Sequence, residues 1–332
     1  MKAIVFENYG GPDQLQLKEV EKPVPGDREV LVEVYAVSIN DWDWGLITGD
    51  FINRMLNGIS KPKRRILGSD IAGRVEAVGK NVTRFKIGDE VFGDLSGTWG
   101  GFAEYVCADE KALGHKSPAM SFEQASSIPQ AAMLAVQGLI DVGRVRRGEK
   151  VLINGAGGGV GTFGLQILKP FDVEVTVVDT AAKLDMLRYL GAAHCIDYTR
   201  ADFVKSGNRY DLILDAKTNR PILRYLRALA PGGRYVTVGG AIPRLLQAFL
   251  WSPWISLFTK KKVRIVALKA NKDLDYMSKL FESGQVVPVI DGPYRLEDVP
   301  EPFRVFERGE HKGKLVVTLT TPRATREIEV DE

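Results

Sequence analysis

The sequence predicts an α/β chain in two parts: a mainly antiparallel, barrel-like β domain, and a doubly wound parallel sheet. Three observations lead there. Short β-type runs broken by Gly, Pro and Asp turns fill residues 1–120. From residue 150 strands alternate with helices. The first of those strands runs into a turn in which five of the seven residues 155–161 are glycine.

In chain order, the β-type runs are residues 3–6, 15–20, 30–39, 73–78, 90–92 and 103–107. Near residue 121 the pattern changes, and residues 121–143 read as two helical segments. Ser121 with Gln124 three residues on forms a capping box. Residues 151–154 then make a short apolar run of the kind that suits a parallel strand covered on both faces. After the glycines, Phe163, Leu165, Ile167 and Leu168 fit a helix packing back on the sheet, which Pro170 stops. A second strand, 173–178, ends at Asp179; a helix over 183–190 and strands at 210–214 and 233–238 complete a βαβαβ rhythm. Beyond it come a strand at 263–268, a helix at 274–283 and a last strand at 313–319. The charged end, 320–332, reads as frayed.

Strand, glycine turn and helix together bring backbone N–H groups and a helix N-terminus to a diphosphate. The register that fits is Ala156-x-Gly158-x-x-Gly161, with Ala in the first place. Asp179 stands 21 residues after Gly158, near the spacing of an acid that binds a ribose. A plain tight turn is the competing explanation, and the surrounding rhythm argues against it.

Composition narrows the function classes. The chain has 332 residues, 45% hydrophobic and 26% charged, and carries a net charge of +3. That is ordinary for a two-domain globular protein and too small to imply nucleic-acid binding. Two cysteines, Cys107 and Cys195, exclude a disulfide framework and a cysteine-rich metal lobe. The start, MKAIVFENYG, reads as a strand rather than a targeting segment, so a cytoplasmic location is expected. Residues 245–259 lack charge over 15 positions and contain Pro253, short of the roughly 20 residues a membrane span needs. Two readings stand for this stretch: a partly buried helix pair, or an apolar surface using Phe249, Trp251, Trp254 and Phe258.

Several segments carry a resemblance. Asn40-Asp41-Trp42-Asp43-Trp44 resembles an N-x-x-D motif. Leu67-Gly68-Ser69-Asp70-Ile71-Ala72-Gly73, followed by Val78-Gly79 and Gly88-Asp89-Glu90-Val91, is similar to a longer signature. Gly100-Gly101-Phe102-Ala103-Glu104-Tyr105, Leu190-Gly191-Ala192 and Gly313-Lys314-Leu315-Val316-Val317 also match. Over residues 1–320 the chain resembles the medium-chain dehydrogenase/reductase superfamily, specifically its zinc-free quinone-oxidoreductase and alkenal-reductase branch. The resemblance implies a GroES-like domain over 1–121 and 264–332, and a Rossmann domain over 122–263. It implies an NAD(P)H-dependent oxidoreductase acting on a small quinone or enone, in a homodimer without a membrane span. Asn40, Asp43 and Trp44 would lie at the substrate. Ala156, Gly157, Gly158, Gly159, Val160, Gly161 and Gly239 would hold the cofactor, joined by Asp179, Thr180, Lys183 and Tyr198.

Where zinc-dependent relatives have a cysteine and a histidine, this chain has Asn40 and Ser69, poor ligands for a borderline-soft metal, so no zinc is expected. Leu134 and Val136 replace a Thr and a Tyr of many relatives, which puts the nicotinamide contacts in question. Asp179 favours the free ribose hydroxyls of NAD(H). Thr180, Lys183 and Tyr198 match residues that grip the 2′-phosphate, and the balance falls narrowly to NADP(H). Two alternatives remain: a cofactor-binding redox sensor or structural partner without turnover, and an alcohol dehydrogenase-like activity.

Overall fold

A computed structural model describes residues 1–319; the frayed end expected at 320–332 lies outside the described residues. The chain forms two compact units. One holds Met1–Pro129, Gly292–Glu310 and the stretch from Leu315; the other holds Gln130–Asp291 and His311–Lys314.

In the first unit the ten-residue strand Glu29–Ser38 is central. It pairs antiparallel with Asp70–Val78, Tyr105–Asp109 and Lys314–Thr318. Two register shifts against Asp70–Val78 bend the pair, as bulges do, and let the sheet curl. Glu90–Asp94 and the two-residue strand Gly114–His115 continue the sheet beyond Asp70–Val78. Val32, Val34, Ile71, Phe102 and Phe303 fill its interior. This is the antiparallel, mainly β domain that the turn-punctuated sequence implies. Ser121 caps the helix Phe122–Ser126 as expected: its Oγ accepts from Gln124 N–H, and Gln124 Oε1 accepts from Ser121 N–H.

The second unit is a six-stranded, all-parallel sheet of Lys150–Asn154, Glu174–Asp179, His194–Asp197, Tyr210–Asp215, Leu229–Thr237 and Lys262–Ile265. Across the sheet these run third, second, first, fourth, fifth, sixth. The order reverses between the first and fourth strands, and in open sheets the crevice at that switch point is where ligands bind. The registers align Asn154 with Asp215, and Asp215 with Thr237, so polar residues end the central strands together.

Two details differ from the sequence reading. The strand Lys262–Ile265 pairs with Leu229–Thr237 through Ile265, so the parallel sheet runs past residue 263, and the units part at Asp291/Gly292. The first junction falls at Pro129/Gln130 instead of 121/122. Periodicity shows that a strand exists without saying which sheet it joins. Residues 242–258 form one 17-residue helix, not a pair: Pro253 is exposed, and the helix passes through it. No helix among the described residues is long and apolar enough to cross a membrane.

Candidate functional site

The glycine turn is built from close approaches that only glycine tolerates. Gly155 has φ +79°, in the left-handed region. A Cβ on Gly161 would sit 2.3 Å from the Ala156 backbone, so its absence lets the helix Gly159–Ile167 start directly against the end of its strand. The opening amides of that helix have no intrahelical acceptor and form a ready site for an anion. The sequence-derived set Ala156, Gly157, Gly158, Gly159, Val160 and Gly161 therefore falls on one continuous turn.

The segment His311–Lys314 returns to this turn. Gly313 N–H donates to Gly157 O at 2.8 Å, and Gly158 and Gly313 form a parallel bridge. Gly313 has φ +72°, and a Cβ there would lie 2.1 Å from Val289 O, so the crossing requires glycine. The return sets His311 Nε2 3.7 Å from the Cβ position of Gly158, and Lys314 Cδ 2.6 Å from that of Gly159. Lys217 comes from another loop, with Cγ 2.7 Å from the Cβ position of Gly155.

Asp179 ends its strand buried beside the turn. Its Oδ2 accepts Gly157 N–H at 2.7 Å and its Oδ1 accepts Thr180 N–H at 2.9 Å. Lys183 Nζ lies 3.7 Å from Oδ1. Lys183 is only 4% exposed and lies over Gly157, so it is not a solvated helix lysine. Burial pulls its ammonium below the usual lysine range, while Asp179 pulls the other way. Tyr198 N–H donates to Asp179 O at 3.2 Å and leaves its ring half-exposed at the rim. Gly239 has nothing within 4 Å of its Cβ position, and its carbonyl accepts from Thr237 Oγ1.

His311 shows how cationic this place is. Burial, then the charges of Lys183, Lys217 and Lys314, bring it from 6.5 to about 3, so it is neutral at physiological pH. Three lysines surround the turn, with Asp179 and Asp291 as the acids that act on Lys183. Beneath it, Asp215 is fully buried and accepts from Asn154 Nδ2, Lys217 N–H, Thr218 N–H and Tyr235 OH. That network fixes the loop carrying Lys217. Sequence reading missed Lys217, His311, Lys314 and Asp215. Only Lys314 stood in a recognised motif, and nothing there tied it to the turn.

The other candidates lie in the first unit. Asn40 precedes the helix Asp41–Thr48, and its Nδ2 donates to Ser69 Oγ at 3.1 Å. The two positions that are cysteine and histidine in zinc-dependent relatives are thus bonded to each other here. Asp43 is fully buried; its Oδ2 accepts Asn40 N–H and its Oδ1 accepts Gly68 N–H. Trp44 packs on the β core, its ring 6.2 Å from that of Phe306. Among the described residues no three His, Cys, Asp or Glu side chains gather to hold a metal. Val136 is buried and Leu134 partly so, on the helix Pro129–Val136 whose Ala131 meets the Cβ position of Gly159.

The turn and its charges fit a dinucleotide carrying phosphate: a diphosphate at the opening amides of the helix Gly159–Ile167, and lysines at its edge. Comparison with known proteins agrees with this architecture. Residues 26–118 match the alcohol dehydrogenase GroES-like domain, and residues 190–317 match the family described as zinc-binding dehydrogenase. The chain is 30% identical to the chloroplastic quinone-oxidoreductase QR1 of Triphysaria versicolor, over 96% of this chain and 98% of that one. It is also 30% identical to the chloroplastic NADPH-dependent alkenal/one oxidoreductase of Arabidopsis thaliana, over 96% of this chain and 79% of the relative. The solved quinone oxidoreductase of Coxiella burnetii superimposes with a TM-score of 0.87 at 28% identity, covering 96% of this chain and 99% of that one. The chain belongs to the medium-chain dehydrogenase/reductase superfamily, in its zinc-free quinone-oxidoreductase and alkenal-reductase branch.

Proposed function

We propose that this chain transfers hydride from a reduced nicotinamide cofactor to a quinone or an α,β-unsaturated carbonyl, and that it prefers NADP(H) to NAD(H). The nicotinamide supplies the hydride when bound; the protein supplies position and electrostatics. The relatives named for quinone and alkenal/one reduction support the substrate class.

The observation that carries the cofactor preference is the buried Asp179–Lys183 pair on Gly157. A bare carboxylate here would bind ribose hydroxyls and repel a 2′-phosphate. In this chain both carboxylate oxygens accept backbone N–H groups and the charge is matched by Lys183. With Asp179 matched by Lys183, the charges of Lys217 and Lys314 leave net positive potential beside the turn for a 2′-phosphate, and Thr180 and Tyr198 flank it. Gly157–Gly161 hold the diphosphate.

For the acceptor, the chemistry of the donor set matters. Asn40 and Ser69 present an amide and a hydroxyl, groups that hold an oxyanion by hydrogen bonding rather than ligate zinc. An enone or quinone takes hydride at carbon and passes charge to such an oxygen, so it needs less activation than a simple ketone. Asp43 acts as a positioning residue, tying Asn40 to the Gly68 loop.

The test is a panel of quinones and enones mixed with purified protein and NADPH or NADH, with cofactor oxidation followed by absorbance. Turnover with NADPH and weaker turnover with NADH is expected. Cofactor binding without oxidation across the panel would replace this reading with that of a sensor or structural partner.

A further inference from the structure

The parallel sheet has a second polar place, at the rim away from the glycine turn. Its strands all run the same way, so Lys150, Glu174, His194 and Tyr210 open four neighbouring strands along one edge. The registers set Lys150 beside Glu174, and Thr176 beside His194. A crevice of about 160 Å³ opens there, lined by those four strand-opening residues with Thr176, Asn208 and Arg209.

The lining is rich in donors. Every side chain but Glu174 can donate a hydrogen bond. That one carboxylate is already engaged: Oε1 meets His194 Nε2 at 2.9 Å, and Oε2 meets Lys150 Nζ at 3.5 Å. The neighbouring acid, Asp211, accepts Lys150 N–H at 2.9 Å. Arg209 Nη1 donates to Gly207 O and Asn208 O, so one nitrogen of its guanidinium holds it to the loop. Lys261 adds positive charge nearby; burial, then Arg209, lowers its ammonium. Tyr210 decides the matter. It is 2% exposed, and its hydroxyl has no hydrogen-bond partner among the described residues. A buried hydroxyl is costly to leave unpaired. What this group of donors lacks is an acceptor from outside.

We propose that the crevice binds a small oxyanion of the phosphate class, held by Lys150, Arg209 and the Tyr210 hydroxyl. The site stands apart from the glycine turn, so its failure leaves the hydride chemistry untouched. The test is a titration of the purified full chain with inorganic phosphate at constant ionic strength, read by calorimetry and by melting temperature, with acetate as the control anion. Binding near about 1 mM is expected, with a melting temperature that climbs with phosphate and acetate at least about tenfold weaker. Arg209→Ala should weaken phosphate at least about tenfold. Tyr210→Phe deletes an unpaired hydroxyl, so without phosphate it should melt no lower than wild type, and it should lose most of the phosphate-dependent rise. Phosphate also suits the lysines at the glycine turn, so Lys183→Ala with Lys217→Ala is titrated as well; binding at the crevice should survive there. No binding, an equal response to acetate, or binding that the turn variant loses and Arg209→Ala keeps, overturns the proposal. So does a Tyr210→Phe protein that melts below wild type, because its hydroxyl would then have a partner within the fold.

Discussion

Around Gly157, side chains from three separate parts of the sequence reach toward a turn whose own backbone geometry is already complete: Lys183, Lys217, and His311 with Lys314. Around Asn40 the reaching ends locally. Asn40 bonds Ser69, and Asp43 bonds the backbone of Asn40 and of Gly68. The first arrangement gathers positive charge over bare glycine and suits an anion that arrives from outside. The second spends polar atoms on holding two loops together. The difference teaches that this chain gathers its charge at the glycine turn, whereas the polar atoms of the Asn40 motif are used in local structure.

Substitutions separate the two regions, beginning with the largest effect. Gly161→Val drives side-chain atoms into the Ala156 backbone. It should reduce stability by about 3 kcal/mol and abolish NADPH binding, read by chemical denaturation and by NADPH fluorescence titration. Asp43→Ala removes the acceptor of two buried N–H groups and should also reduce stability by about 3 kcal/mol. NADPH affinity in Asp43→Ala should stay within about threefold of wild type, since its bonds lie outside the phosphate cluster. A large loss of NADPH affinity there would break the comparison.

Lys183→Ala should raise the NADPH Michaelis constant about thirtyfold, about 2 kcal/mol of charge-assisted contact, and leave NADH within about threefold. Equal effects on the two cofactors in steady-state assays would count against its phosphate role.

His311 gives the subtlest signal. Its folded value, about 3, lies below its ordinary 6.5, so the unfolded chain takes up a proton that the folded chain refuses. Its contribution is present above pH 6.5 and is lost as pH falls toward about 3. His311→Gln should flatten that decline by up to about 1.4 kcal/mol per pH unit, measured by denaturant unfolding at stepped pH. Parallel curves for the two proteins would show that burial and the neighbouring lysines do not hold His311 neutral.

How much of this was legible beforehand depends on the range of each signal. The glycine turn could be read because close backbone approaches admit no other residue. Asp179 could be read because one βα unit fixes its distance from the turn. Lys183 was visible as a residue but not as a buried one; its stem lies on Gly157 and its ammonium pairs with Asp179, four positions earlier. Lys217, His311 and Lys314 stayed hidden because the hydrogen bond from Gly313 to Gly157 and the Asp215 network place them. Neither leaves a local period in the sequence. That the strand Lys262–Ile265 joins the parallel sheet stayed hidden for a similar reason, since a strand does not announce its partner.

The most direct measurement is a calorimetric titration of the purified protein with NADPH and with NADH at several salt concentrations. The account predicts NADPH at least about tenfold tighter, with the gap narrowing as salt rises. Equal affinities, or a preference for NADH, would contradict it.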